Sequence, residues 1–435
     1  MPSPSDPRGA SAQRLQHFAL ANGLKVYLRE DHRASLVTAQ LWYHVGASYE
    51  PPGRSGLSHL LEHLMFEGSS KLAPGQYSRL MTRLGGTSGA FTSDDATCFP
   101  VTLPASRLEI ALEAMADSMA SATLGASTFE RELDVVKAER RTRVDNYPLG
   151  LAAERSKALA HGSSPYATPA IGHQRDLEGM TLMAVQDWYR TWYHPNNATL
   201  VVVGDIDVAR LRPLVERHFA SLPHTATPER TPPRASEGLT LRQQTVALPG
   251  LREGVILDFN TPSLATTAEP DHAHALRLVP QLLTEGSSAR LNRLLVRDNS
   301  VLQGIRSSYQ HLRRGDGLLT MYLFSNATTI KPAQAAQRVL DEVLTLGQVP
   351  PLAAELKRAK ARLLASLSFA RDDLHEQALA IGQYAISGLD PTLLDDERQA
   401  IEQVTPEQVR DVAQAYLSRG RLSITCMQGQ ENHHE

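Results

Sequence analysis

The chain has 435 residues, a formal net charge of −3, 42% hydrophobic and 21% charged residues. That length is too great for one ordinary core and predicts two domains. The balanced charge leaves no basic footprint for nucleic acid or an anionic membrane.

Only Cys98 and Cys426 occur, far apart, which excludes a disulfide framework. No apolar run reaches the roughly 18 to 20 residues that span a bilayer. Residues 1–13 are polar, rich in Pro and Ser, without the apolar segment of a signal peptide. They are expected to be disordered, as is the tail at 432–435. Strand signals begin at 24–28 after the Asn22-Gly23 turn and continue at 36–45. Helical patterning covers 56–66 and 74–84, and 91–103 reads as extended. Helices follow at 107–121, 128–145 and 181–193, and 200–203 reads as a buried strand. The Pro-rich stretch 223–238 is the linker candidate between a first domain, 14–222, and a second, 239–430. Beyond it come a strand at 255–259 and helices at 272–283 and 352–368. The segment 185–204 resembles 409–429, and Glu67-Gly68-Ser69-Ser70 is echoed by Glu285-Gly286-Ser287-Ser288. An internal duplication of about 220 residues explains both echoes. The second copy lacks histidines at the positions matching His59 and His63.

The chemistry gathers at His59-Leu60-Leu61-Glu62-His63. Two imidazoles at i and i+4 share a helix face and can grip one ion. Glu62 borders that face and can reach the water such an ion activates. The other positions of the helix are apolar nearly all round, so polar groups within it need a reason. One reading is two core histidines satisfied by carbonyls, with Glu62 a lone buried acid; the other is a metal site. A third protein ligand is then required, and 127–139 offers one. Ser127 with Glu130 matches a capping box, so a helix is expected to start there. Glu132 and Glu139 lie two turns apart on the face of Phe129, Leu133 and Val136. For Glu139 a surface acid remains the competing reading, while Arg140, Arg141 and Arg143 read as a solvated edge. Trp188 and Trp192 read as core, Cys98 as a buried thiol, and Asp94 and Asp95 as shaping a turn or strand end. His161, His173, His194, His272 and His274 lack a ligand context.

The motif resembles that of the pitrilysin and insulinase family, which includes the mitochondrial processing peptidases. Glu139 follows His63 by 76 residues, the family's spacing to its ligand glutamate. The likeness extends to 22–26, 43–48, Gly85-Gly86, 90–93 and 192–198. It implies an α+β fold of two related domains, each an antiparallel sheet covered by helices, forming half of a clamshell around a chamber. It implies one zinc ion held by His59, His63 and Glu139, with Glu62 as general base and Glu132 supporting the ligands. Peptide would add as a strand against the edge carrying Gly89, Ala90, Phe91 and Thr92.

Two departures bear on activity. The family's Asn-Ala before that edge is Gly89-Ala90 here, which removes a substrate-facing amide. The family's second-half Arg and Tyr lie seven apart; Arg297 fits the first, but Gly304 stands at the second, with Tyr309 out of register. The expectation is a zinc endopeptidase for short or unfolded peptides, the metal-bearing subunit of a heterodimer whose partner supplies the Arg–Tyr pair. A homodimer is the alternative assembly, and a non-catalytic peptide-binding or assembly subunit the alternative role. Likeness to secreted members points to the periplasm; the missing signal points to the cytoplasm.

Overall fold

The computed structural model describes residues 14–235, 239–326 and 330–430. The disorder expected for 1–13 and 432–435 lies outside the described residues, as does the linker's 236–238.

Seven strands build the first sheet: β1 (Gln16–Ala19), β2 (Lys25–Glu30), β3 (Leu36–Tyr43), β4 (Thr87–Ser88), β5 (Phe91–Thr92), β6 (Thr97–Pro104) and β7 (Ala198–Gly204). Their order is β1-β2-β7-β3-β6-β4, with β5 also on β6. Its helices are α1 (Leu57–Leu64), α2 (Gln76–Arg83), α3 (Leu108–Ser121), α4 (Ala126–Arg140), α5 (Pro148–His161), α6 (Gln174–Glu178), α7 (Leu182–Trp192) and α8 (Val208–Phe219). Residues 223–235 carry no regular structure.

The second sheet holds β8 (Arg242–Pro249), β9 (Gly254–Thr261), β10 (Leu302–Tyr309), β11 (Gly317–Ser325) and β12 (Leu422–Gln430), ordered β10-β11-β9-β12-β8. Helices α9 (Pro270–Leu283), α10 (Pro332–Leu346), α11 (Ala353–Ala370), α12 (Leu374–Ile386), α13 (Glu397–Gln403) and α14 (Pro406–Tyr416) accompany it. Both sheets follow one path: β2-β7-β3-β6 with β4 and β5 in the first, β8-β12-β9-β11-β10 in the second. In each, a late strand enters between two earlier ones, β7 between β2 and β3 after helix α7, and β12 between β8 and β9 after helix α14. That is the duplication expected from the repeated segments. The sheets are antiparallel except for one pair each, β2 with β7 and β12 with β8.

The alternation of side chains along a strand gives each sheet two apolar faces to cover. Val37, Ala39, Leu41 and Tyr43 of β3 face the core that contains α1, α3, α7 and α8. Trp42 with Val201 and Val203 points the other way and packs on Ile381 and Tyr384 of α12, a helix from the second half. Gly382 permits this approach, because a Cβ there would stand 2.1 Å from the Trp42 ring. The exchange is mutual. Ala152 of α5 packs on Val246, Ile256 and Met427 of the second sheet, and Ser156 donates to Asp258 at 2.6 Å. Each half thus lends a helix to the other's sheet.

Three local expectations are corrected. Ser127 does not cap α4: the helix begins at Ala126 after Gly125, with no side-chain cap, and beyond Arg140 it widens into a π-turn, Arg141–Asp145. Arg140 is buried, not solvated, and its guanidinium pairs with Glu154 at 3.0 Å and Asp145 at 3.2 Å. Asp94 and Asp95 do more than shape a turn; both are buried and bind consecutive arginines of the second half, Arg313 at 2.6 Å and Arg314 at 3.4 Å.

Candidate active site

Helix α1 is anchored from both sides. Leu57, Leu60, Leu61 and Leu64 are fully buried in the first core. Its N-terminus is capped from a distance: the Glu50 carboxylate accepts from the backbone amides of Gly56 and Ser58, each at 2.7 Å. Those are amides a helix leaves unpaired, at its positive end. The remaining face carries His59, Glu62 and His63, and the two imidazoles stand edge to face with centroids 4.9 Å apart. Helix α4 runs opposite, sinking Phe129, Leu133 and Val136 into the same core, which turns Glu132 and Glu139 toward the histidines.

The donor atoms converge. Glu139 Oε2 lies 3.5 Å from His63 Nε2 and 3.7 Å from His59 Nε2, and the three residues can offer atoms all within 4.8 Å of one another. Ligands on a tetrahedral zinc, at bonds of about 2.0–2.2 Å, sit roughly 3.3–3.6 Å apart. The set therefore fits zinc in both chemistry and spacing. Burial, then the neighbouring His63, pushes His59 down to about 4, which keeps its ring neutral and its lone pair available near neutral pH. His63 Nδ1 faces Glu132 Oε2 at 3.3 Å, the orienting contact a ligand histidine needs on its other nitrogen.

Glu62 is buried, and burial pushes its carboxyl above the usual range; the Thr92 hydroxyl, donating to Oε2 at 2.6 Å, pulls the other way. Thr92 sits on β5, so the acid is tied to the sheet edge. Gly89 donates its amide to Pro100 at 3.1 Å, Phe91 stacks edge-on against Trp42, and β4 and β5 both pair only with β6 among the described residues. Beside this edge lies a cleft of about 300 Å³, lined by Glu62, His63, Phe66, Glu67, Ala90 and Glu132 among others. His59, His63, Glu139, Glu132, Glu62 and the 89–92 edge are thus brought together.

Arg297 and Tyr309 belong to another neighbourhood. Arg297 is exposed and pairs with its neighbour Asp298, and Tyr309 donates to the Pro262 carbonyl at 2.6 Å. Sequence reasoning missed Glu50, whose capping role has no local signature. It also missed Arg143, which binds Glu139 Oε1 at 2.6 Å; its i+4 spacing from Glu139 was the available signal.

The duplicated fold and a His-x-x-Glu-His helix facing a glutamate-bearing helix define a class of peptidase folds built from two like halves. The insulinase profile, peptidase family M16, matches residues 25–168, and the profile of the M16 inactive domain matches 179–363. The chain belongs to the insulinase family, M16. It is 29% identical over 412 residues to the zinc protease PqqE of Helicobacter pylori, across 92% of this chain and 90% of that one. A crystal structure of a protease from Helicobacter pylori superposes with a TM-score of 0.88 at 26% identity, covering 95% of this chain and 99% of the other. The first half of the periplasmic protease PqqL from Escherichia coli shares the fold, with a TM-score of 0.79 at 19% identity over 96% and 92% of the two chains.

Proposed function

We propose that this chain is a zinc-dependent endopeptidase for short or unfolded peptides, the metal-bearing subunit of a heterodimer. The observation that carries the reading is the convergence of His59, His63 and Glu139 beside a buried Glu62 that is tied to an open sheet edge. His59, His63 and Glu139 would hold the zinc, which when bound supplies Lewis acidity, polarising a carbonyl and bringing the pKa of water toward neutrality. The edge at 89–92 holds the peptide by backbone pairing, which selects extended chain over folded protein. Thr92 occupies Glu62 Oε2 and leaves Oε1 to accept the proton of the attacking water. Glu62 then delivers that proton to the leaving amine. Burial raises the carboxyl and so makes it a stronger base than an exposed glutamate.

The test is Glu62→Gln. It should retain zinc and lose turnover on a pool of unstructured peptides; retained turnover would sink the assignment of Glu62. The heterodimer rests on Gly304 standing where the family tyrosine is expected. Full activity from the purified chain alone would replace it with a homodimer or monomer. A second reading, a non-catalytic peptide-binding subunit, draws on Gly89 and Gly304 and on the inactive-domain profile over the second half. Stoichiometric zinc without cleavage, alone or with any partner, would favour it.

No helix among the described residues is long and apolar enough to cross a membrane. The periplasm is the proposed compartment, by likeness to the periplasmic protease PqqL, with the cytoplasm as the alternative. Fractionation of the source cells decides between them.

A further inference from the structure

Glu139 divides its two oxygens. Oε1 receives Arg143 Nη1 at 2.6 Å, and Oε2 faces His63 and His59 at 3.5 and 3.7 Å. Arg143 lies on the π-turn that follows α4 and is 73% exposed, while Glu139 is 18% exposed. The same division recurs one carboxylate away. Glu132 Oε1 is taken by Arg131 Nε at 3.2 Å, and Oε2 faces His63 Nδ1 at 3.3 Å; Arg131 is itself held by Glu67. Each glutamate therefore shows one oxygen to an arginine on the solvent side and one to the histidines.

We propose that Arg143 is a positioning residue that holds Glu139 as a single-oxygen donor to the ion gripped by His59 and His63. The inference rests on the metal reading above. A free carboxylate rotates about its last bond and can offer a metal one oxygen or both. A guanidinium bound to Oε1 disfavours the second choice and biases the plane of the first. Arg143 itself contributes little to folding, because an exposed ion pair is nearly balanced by solvation and side-chain entropy. Its effect is therefore expected in the metal site and not in the stability of the metal-free chain.

The experiment compares the full chain with Arg143→Gln and Arg143→Lys. Three readouts apply: zinc affinity by competition with a chromophoric chelator, the visible spectrum of the cobalt(II)-substituted protein, and the melting midpoint after chelation. Arg143→Gln should weaken zinc binding about 2- to 5-fold, the range an exposed ion pair can supply. Its cobalt bands should lose intensity as a second oxygen enters the coordination shell. Arg143→Lys, which keeps the charge but not the planar fork, should restore part of both. The metal-free midpoint should match the parent chain. Unchanged zinc affinity and an unchanged cobalt spectrum in Arg143→Gln would overturn the inference while leaving the metal site standing. A lowered metal-free midpoint with an unchanged spectrum would overturn it too, by assigning Arg143 to folding. Failure of the parent chain to bind one zinc would remove the metal assignment and this inference with it.

Discussion

Thr92 donates its hydroxyl proton to Glu62 Oε2 at 2.6 Å, and that one contact joins the base to the strand that meets the peptide. Burial raises the Glu62 carboxyl, and the Thr92 bond partly restrains the rise. Thr92→Val keeps the β-branched shape on β5 and removes the donor. The bond holds the carboxylate in one orientation, so without it kcat should fall about tenfold with zinc content unchanged. The sign of the pH effect follows from the same bond. Losing a donor to the ionised form raises the Glu62 pKa further, so the acidic limb of the pH–rate profile should move to higher pH. A Thr92→Val profile superimposable on the parent's would remove Thr92 from the mechanism. At Gly89 the residue scale gives a different lesson. A Cβ there meets nothing within 4 Å, so the missing asparagine is a change of chemistry and not one that space imposes.

Most of the elements that position the site were legible because they carry strong periodicity. Helix α1 is apolar on every side that packs, β7 is a continuous buried run, and the echo of α7–β7 in α14–β12 foretold the shared sheet path. What was illegible depends on distant partners. Nothing local distinguishes Arg140 from its exposed neighbours until Glu154 and Asp145 are placed beside it. Asp94 and Asp95 look like turn residues because Arg313 and Arg314 lie in the other half. The exchange of α5 and α12 between sheets is also invisible, since a helix's pattern shows that it has an apolar face but not what covers it. Gly382 offers the test at this scale. A methyl at 382 has to displace the Trp42 ring, which is itself fully buried between α12 and the first sheet. Overpacking of this kind costs typically 1–3 kcal/mol. Gly382→Ala should lower the melting midpoint by several degrees, even though alanine is the better helix former. An unchanged or raised midpoint would mean that α12 does not hold its position against Trp42.

Across the whole molecule, the exchanged helices bring the two halves together, and a buried ion cluster bridges them. Asp94 accepts from Lys157 at 2.7 Å and from Arg313 of the second half at 2.6 Å. Asp95 accepts from Tyr166 at 2.6 Å and meets Arg314. Both carboxylates sit on the turn immediately after Thr92, so the clasp between halves adjoins the site's edge strand. Burial alone would raise the Asp94 carboxyl, but Lys157 and Arg313 outweigh it and hold it near 2. A carboxylate whose folded pKa is depressed stabilises the fold fully above its unfolded value of about 3.9, and loses that contribution as pH falls through the folded value. The window is thus about pH 4 down to 2, and a shift of about two units corresponds to roughly 2–3 kcal/mol. Asp94→Asn should remove this component of acid unfolding. At pH 7 it should also leave Lys157 and Arg313 facing a neutral amide, at a cost of about 3–5 kcal/mol. Denaturant titrations of both chains at pH 7, 4, 3 and 2 measure the two effects together. The stability gap should be widest at pH 7 and narrow as the parent's Asp94 takes up its proton. A gap that stays constant from pH 7 to 2 would show that the clasp works by shape alone, with the charge of Asp94 contributing nothing to the union of the halves.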